Sequence, residues 1–204
     1  MLARLQNCEY DGEDHKYSAA EQNTVQILNN RIYLSKVLQV NFTSYDVHHE
    51  QDSMNPWTNC NVMVLSPKSG EDVHPFWYTQ VLGVFHARVL HTDPAAANKS
   101  IQNIQFLWVR WLGLVPGRRF GFKQARLPKV GFLPHTDSLV FGFLDPSLVL
   151  RGCHLIPAFA DGKTSDLLPV MRSATRSPDE HKDWAAFYVM MYVFLLLSYL
   201  LYAH

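Results

Sequence analysis

The sequence predicts a mainly β protein: a small, partly open barrel with a flexible N-terminal arm and a C-terminal apolar helix. Three observations carry that expectation. Short apolar runs recur between residues 23 and 160, separated by strong breakers at Asn55-Pro56, Ser66-Pro67, Asp93-Pro94, Pro116-Gly117 and Asp145-Pro146. Within Phe76–Leu90, Trp77, Val81, Phe85 and Val89 fall on one period-two face. Near its end the chain runs AAFYVMMYVFLLLSYLLYA, Ala185 to Ala203, nineteen residues without a formal charge.

Residues 1 to 22 are polar and acid-leaning, with Glu9, Asp11, Glu13 and Asp14 close together, and read as the flexible arm. Ser18-x-x-Glu21 matches a capping box and places a short helix there. Val25 to Leu28, Asn29-Asn30 and Arg31 to Leu34 read as a hairpin, because asparagine tolerates the positive φ of a two-residue turn. Further strands are expected at Val37–Thr43, Val62–Leu65, Phe76–Leu90, Ile104–Leu112, Lys129–Leu133 and Leu148–Ile156. Gly83 interrupts the third of these and marks a bend or bulge. Ile104–Leu112 is apolar on both faces, with Phe106 and Trp108 on one and Leu107, Val109 and Trp111 on the other, as in a central strand covered on both sides. Aromatic-rich strands at this spacing make residues 23–160 one β-rich module. Residues 161–183 read as a polar linker and residues 184–204 as the apolar C-terminal segment. As a helix at ~1.5 Å per residue, that segment matches the ~30 Å hydrocarbon core of a bilayer and is a candidate transmembrane span.

The totals exclude some classes. The 204 residues carry a net charge of zero, so no global field draws the protein to nucleic acid or an acidic surface. Cys8, Cys60 and Cys153 include no CxxC pair, which argues against a disulfide framework or a structural zinc site and for a reducing compartment. The start, MLARLQNCEYDGEDHKY, has no apolar core before its acidic residues and is not expected to act as a secretory signal.

The charge is unevenly spread. No acidic residue lies between Asp93 and Asp137, whereas Lys99, Arg110, Arg118, Arg119, Lys123, Arg126 and Lys129 do. Arg118, Arg119, Lys123 and Arg126 are interleaved with Phe120 and Phe122, a pattern that suits phosphate contacts with stacking on bases. The alternative is a solvated loop paired with the acidic N-terminal arm. Trp77, Tyr78, Trp108 and Trp111 are candidates for an aromatic cage around a quaternary ammonium; the alternative is that they fill the core. His48-His49-Glu50-Gln51-Asp52 offers ligand types without a known metal spacing, so no metal site is expected. In a strand Cys153 and His154 point to opposite faces and do not meet. With no GxSxG, GxxxxGK[ST] or GxGxxG motif, the expectation is a protein that is not an enzyme and uses no cofactor or small-molecule substrate.

Taken in order, ILNNRIY (27–33), NFTSYDV (41–47), QDSMNP (51–56), HPFWYTQVLGVFHARVLHT (74–92), FLWVRWLG (106–113), RLPKVGF (126–132), FGFLDPSLVLRGCHLIPAFADGKTSDLL (141–168) and DWAAFYVMMYV (183–193) form a series. It resembles the C-terminal region of CACTA/Plavaka-like transposon-derived proteins of basidiomycete fungi. The resemblance implies a terminal module that normally follows a transposase-like region, with no catalytic residue to carry over. WYTQVLGVF, FLWVRWL and FGFLDPSLVLRGCHLIP are also similar in order to bromo-adjacent homology (BAH) modules, implying a BAH/SH3-like barrel. Where the family has a basic pair after the YDV motif, this chain has His48-His49, and after Val193 it continues FLLLSYLLYAH in place of charged residues.

The expected function is a non-enzymatic interaction module that contacts chromatin protein or nucleic acid through the basic loop. The alternative is a single-pass, tail-anchored membrane protein held through Ala185 to Ala203, its globular part cytosolic. Localisation follows the same fork: membrane through the tail, or nuclear or soluble intracellular without it.

Overall fold

A computed structural model describes residues 2–6, 17–43, 49–57, 61–67, 74–96, 98–117, 126–168 and 182–190. Among these residues, α1 (Leu2–Leu5) and α2 (Ala19–Gln22) precede β1 (Val25–Ser35), β2 (Leu38–Thr43), β3 (His49–Met54), β4 (Asn61–Leu65) and β5 (Phe76–His91). There follow β6 (Gln102–Leu114), β7 (Lys129–Phe132), β8 (Phe141–Leu144), β9 (Val149–Gly152) and β10 (His154–Pro157). The last are β11 (Lys163–Thr164), β12 (Asp183–Trp184) and β13 (Phe187–Met190). Ser18 caps α2 with both arms of the capping box in place.

The protein is mainly β, built on a nearly closed, barrel-like sheet. Its nine strands follow the order β10-β13-β7-β6-β5-β4-β9, with β1 added to β5 and β8 to β6. The two ends of the path are consecutive in the chain, because only Cys153 separates β9 from β10. The Cys153 N–H donates to the Asn61 carbonyl of β4 at 2.9 Å, so the chain crosses the seam while still bonded to β4. β2 pairs with β3 as a separate hairpin, and β11 with β12.

The long pair β5–β6 has two different pairs of outer neighbours. Towards the start of β5 and the end of β6, β4 and β7 flank it and the sheet curls into the barrel. Towards the other end, β1 and β8 flank it and the sheet stays open. The change falls at a register shift between Val81 and Gly83, a β-bulge at the expected glycine. One extra residue reverses the alternation, which corrects the single face expected for Trp77, Val81, Phe85 and Val89. Val81 packs with Val62, Val84, Leu107 and Val109, and the β2–β3 hairpin covers this face with Leu38 and Met54. Val89, beyond the bulge, packs on the opposite face with Ala87, Ile104 and Leu5 of α1. A third cluster fills the barrel: Met63, Phe76, Tyr78, Leu112, Val130, Cys153 and Val189.

Two further expectations are corrected. The hairpin over 25–34 is instead the single strand β1, because β5 is long enough to pair with both halves of the segment. Asn29 and Asn30 do have positive φ, 58° and 50°, but they lie in a bulge between Ile27 and Ile32 and not in a turn. The C-terminal apolar helix is corrected where the structure describes it: Phe187–Met190 is a strand inserted between β10 and β7, and residues 191–204 lie outside the described residues. Val189 of that strand is fully buried and joins the cluster that fills the barrel. Among the described residues no helix is long and apolar enough to cross a membrane.

Candidate functional site

The acid-free stretch after Asp93 supplies two cations that the fold buries. The Arg110 guanidinium is inaccessible to solvent, 3.8 Å from the centre of the Phe132 ring. Its two terminal nitrogens donate to the two carboxylate oxygens of Asp183 at 3.4 and 3.1 Å. Lys129 is buried in an ion pair with Asp161, and its ammonium lies 5.5 Å from the Tyr188 ring centre. Both carboxylates come from the segment expected to be a linker. Part of the apparent charge excess is therefore structural, used to fasten 161 and 183 to the barrel. Of the four candidate phosphate contacts, Arg118, Arg119 and Lys123 lie outside the described residues, and Arg126 is exposed. In chain order all four fall between β6 and β7.

The four aromatics do not form one cage. Trp77 and Trp111 meet edge to face at 5.8 Å on the outer side of the barrel wall, and Trp77 is 38% exposed. Tyr78, next in the strand, points the other way and is buried in the barrel. Trp108 lies on that second face but beside the bulge, 6.0 Å from Phe141. What the structure does bring together is a row of rings on the open half of the sheet. Phe85 stacks on Phe106 at 5.6 Å, and Phe106 meets Phe143 edge to face at 5.7 Å. Phe143 is 74% exposed. The bulge makes this row, since without it Phe85 would face the hairpin. Sequence reading missed it because Phe141 and Phe143 belong to a four-residue strand with no period long enough to detect.

Inside the barrel, His74 Nε2 lies 2.7 Å from the Tyr78 hydroxyl. Burial pushes His74 down from 6.5 to about 4, and raises the Tyr78 phenol, with neighbouring Cys153 adding to the effect. The imidazole is thus neutral and the phenol protonated at neutral pH, which suits an O–H donated to a ring nitrogen. Cys153 is buried here, whereas His154 is exposed on the other side of the chain. Asp52 holds the β3 hairpin to the barrel: Arg151 Nε and the Gly152 N–H donate to it at 3.3 and 3.2 Å. His48 lies outside the described residues, and among those described no cluster of three metal-ligand side chains occurs.

On the open half, Tyr33, His86, Arg88, Ile101 and Asn103 line an open hollow of about 380 Å³. Tyr33 stacks on His86 at 5.1 Å, and Ser35 Oγ lies 3.3 Å from His86 Nδ1. Comparison with protein families, curated proteins and solved structures gives no match for this chain.

Proposed function

We propose that the protein is a non-enzymatic interaction module, the β-rich terminal part of a transposon-derived protein with a BAH/SH3-like barrel. Its partner is nucleic acid or a chromatin protein, met through the β6–β7 connection. The observation that supports this reading is the division of labour among the cations. Arg110 and Lys129 are buried and held by Asp183 and Asp161, while Arg126 is exposed at the edge of the connection. Arg118, Arg119 and Lys123 precede Arg126 in a stretch with no acidic residue of its own. Phosphates attract such cations, and Phe120 and Phe122 supply faces for stacking.

The test is fluorescence anisotropy of the full chain with single-stranded DNA, duplex DNA and nucleosomes. Arg118→Glu with Arg119→Glu abolishes binding and leaves the melting temperature unchanged. Binding by the parent chain weakens steeply with salt. Equal affinity for parent and double variant removes the connection as the contact surface.

A further inference from the structure

We propose that the outer edge of β1 is a dimerisation edge, on which a second copy of this chain adds its own β1 antiparallel across a two-fold axis at Tyr33. β1 pairs with β5 on one side, and no described strand pairs with its other side. Natural edges are blunted by charge, proline or bulges. The first half of β1 follows that rule, since the bulge at Asn29-Asn30 breaks its register. The second half does not. Ile32, Tyr33, Leu34 and Ser35 run in unbroken register with Ala87, His86, Phe85 and Val84 and carry no charge. Their apolar side chains are open to solvent: Ile32 53%, Tyr33 40% and Leu34 64%.

The sequence RIYLS is complementary to itself in this pairing. With Tyr33 opposite Tyr33 of the second copy, Ile32 faces Leu34 and Arg31 faces Ser35. Arg31 is the one charge in this paired stretch, so no like charges oppose each other. The zero net charge leaves no general repulsion between copies. The two faces then continue across the axis. On one, Ile32 and Leu34 extend the row that Phe85, Phe106 and Phe143 begin. On the other, Tyr33, already stacked on His86, meets its symmetry mate. An isologous contact of this kind uses the edge on both copies and closes at two.

Sedimentation equilibrium of the full chain over a concentration series gives a monomer–dimer equilibrium. Ile32→Lys with Leu34→Lys abolishes the dimer and, at concentrations where the parent chain is monomeric, leaves the melting temperature unchanged, because both side chains are exposed. Register is read by mild oxidation: Tyr33→Cys cross-links to itself across the axis, whereas Arg31→Cys does not, with the parent chain as control for the native cysteines. The cross-linking result stands even if the lysine pair disturbs folding. A monomer at every concentration overturns the proposal, as do a dimer indifferent to the lysine pair, equal cross-linking at 31 and 33, or assemblies larger than two. A monomer that binds an added extended peptide also overturns it, assigning the edge to a foreign strand.

Discussion

Replacing Asp183 by alanine tests how the barrel is held shut. Asp183 is almost fully buried and engages both terminal nitrogens of Arg110, whose side chain has no solvent contact and rests on Phe132. Removing one partner of a buried ion pair strands the other in a medium that solvates it poorly, at a cost of about 3–5 kcal/mol. Against a total stability of about 5–15 kcal/mol this is a large fraction. At about 2–4 °C per kcal/mol for a protein of this size, the melting temperature falls by roughly 6–20 °C. Urea unfolding followed by tryptophan fluorescence measures the loss, with an unchanged slope showing that the unfolded states are comparable. Arg110→Met with Asp183→Leu removes both charges and loses far less than Asp183→Ala alone. An Asp183→Ala variant within about 1 kcal/mol of the parent would mean that solvent reaches Arg110, and would refute the reasoning.

Three further outcomes are expected. His74 has its pKa depressed from 6.5 to about 4, so within that window the unfolded chain binds a proton that the folded barrel excludes; stability present above pH 6.5 declines as pH falls towards about 4, and urea midpoints across the window show a shallower decline for His74→Gln. Gly83→Ala places a methyl 2.5 Å from Cε2 and 2.7 Å from Cζ of Phe85, so the ring swings off Phe106; near-ultraviolet circular dichroism loses intensity at a stability cost of about 1 kcal/mol. A chain ending at Asp183 lacks β13 and shows no cooperative unfolding, whereas one ending at Met190 unfolds cooperatively like the full chain; calorimetry separates the two.

The strands were legible wherever apolar residues recur between breakers. Phe76–Leu90 and Ile104–Leu112 each fall within observed strands that extend one or two residues further, and the glycine in the first does mark the bulge. The two-sided apolar character of β6 foretold its central place, since it is covered by β5, β7 and β8 and packs on both faces. β3 was invisible because His49–Met54 is polar apart from Met54, as an outer hairpin strand needs only that one anchor. Asn29-Asn30 was ambiguous in principle: positive φ serves a turn and a bulge alike, and only the length of β5 decides between them. The site was less legible than the fold. A charge count along the chain treats Arg110 and Lys129 as surface cations, because their partners, Asp183 and Asp161, lie far away in sequence. The four aromatics were grouped by residue type, which carries no information about faces once a bulge has inverted the alternation.

The placement of β13 also governs the order in which this protein is completed during synthesis. It sits between β7 and β10, yet it is the last described strand to leave the ribosome. Until residues 187–190 emerge, β7 and β10 each present a bare edge and the barrel interior around Val130 and Cys153 is open on one side. Closure then requires contacts distant in sequence, the slow class of folding event. The nascent chain therefore passes through a stage with most of its strands paired and its ring unclosed, the stage at which edge-to-edge association between neighbouring chains competes with folding.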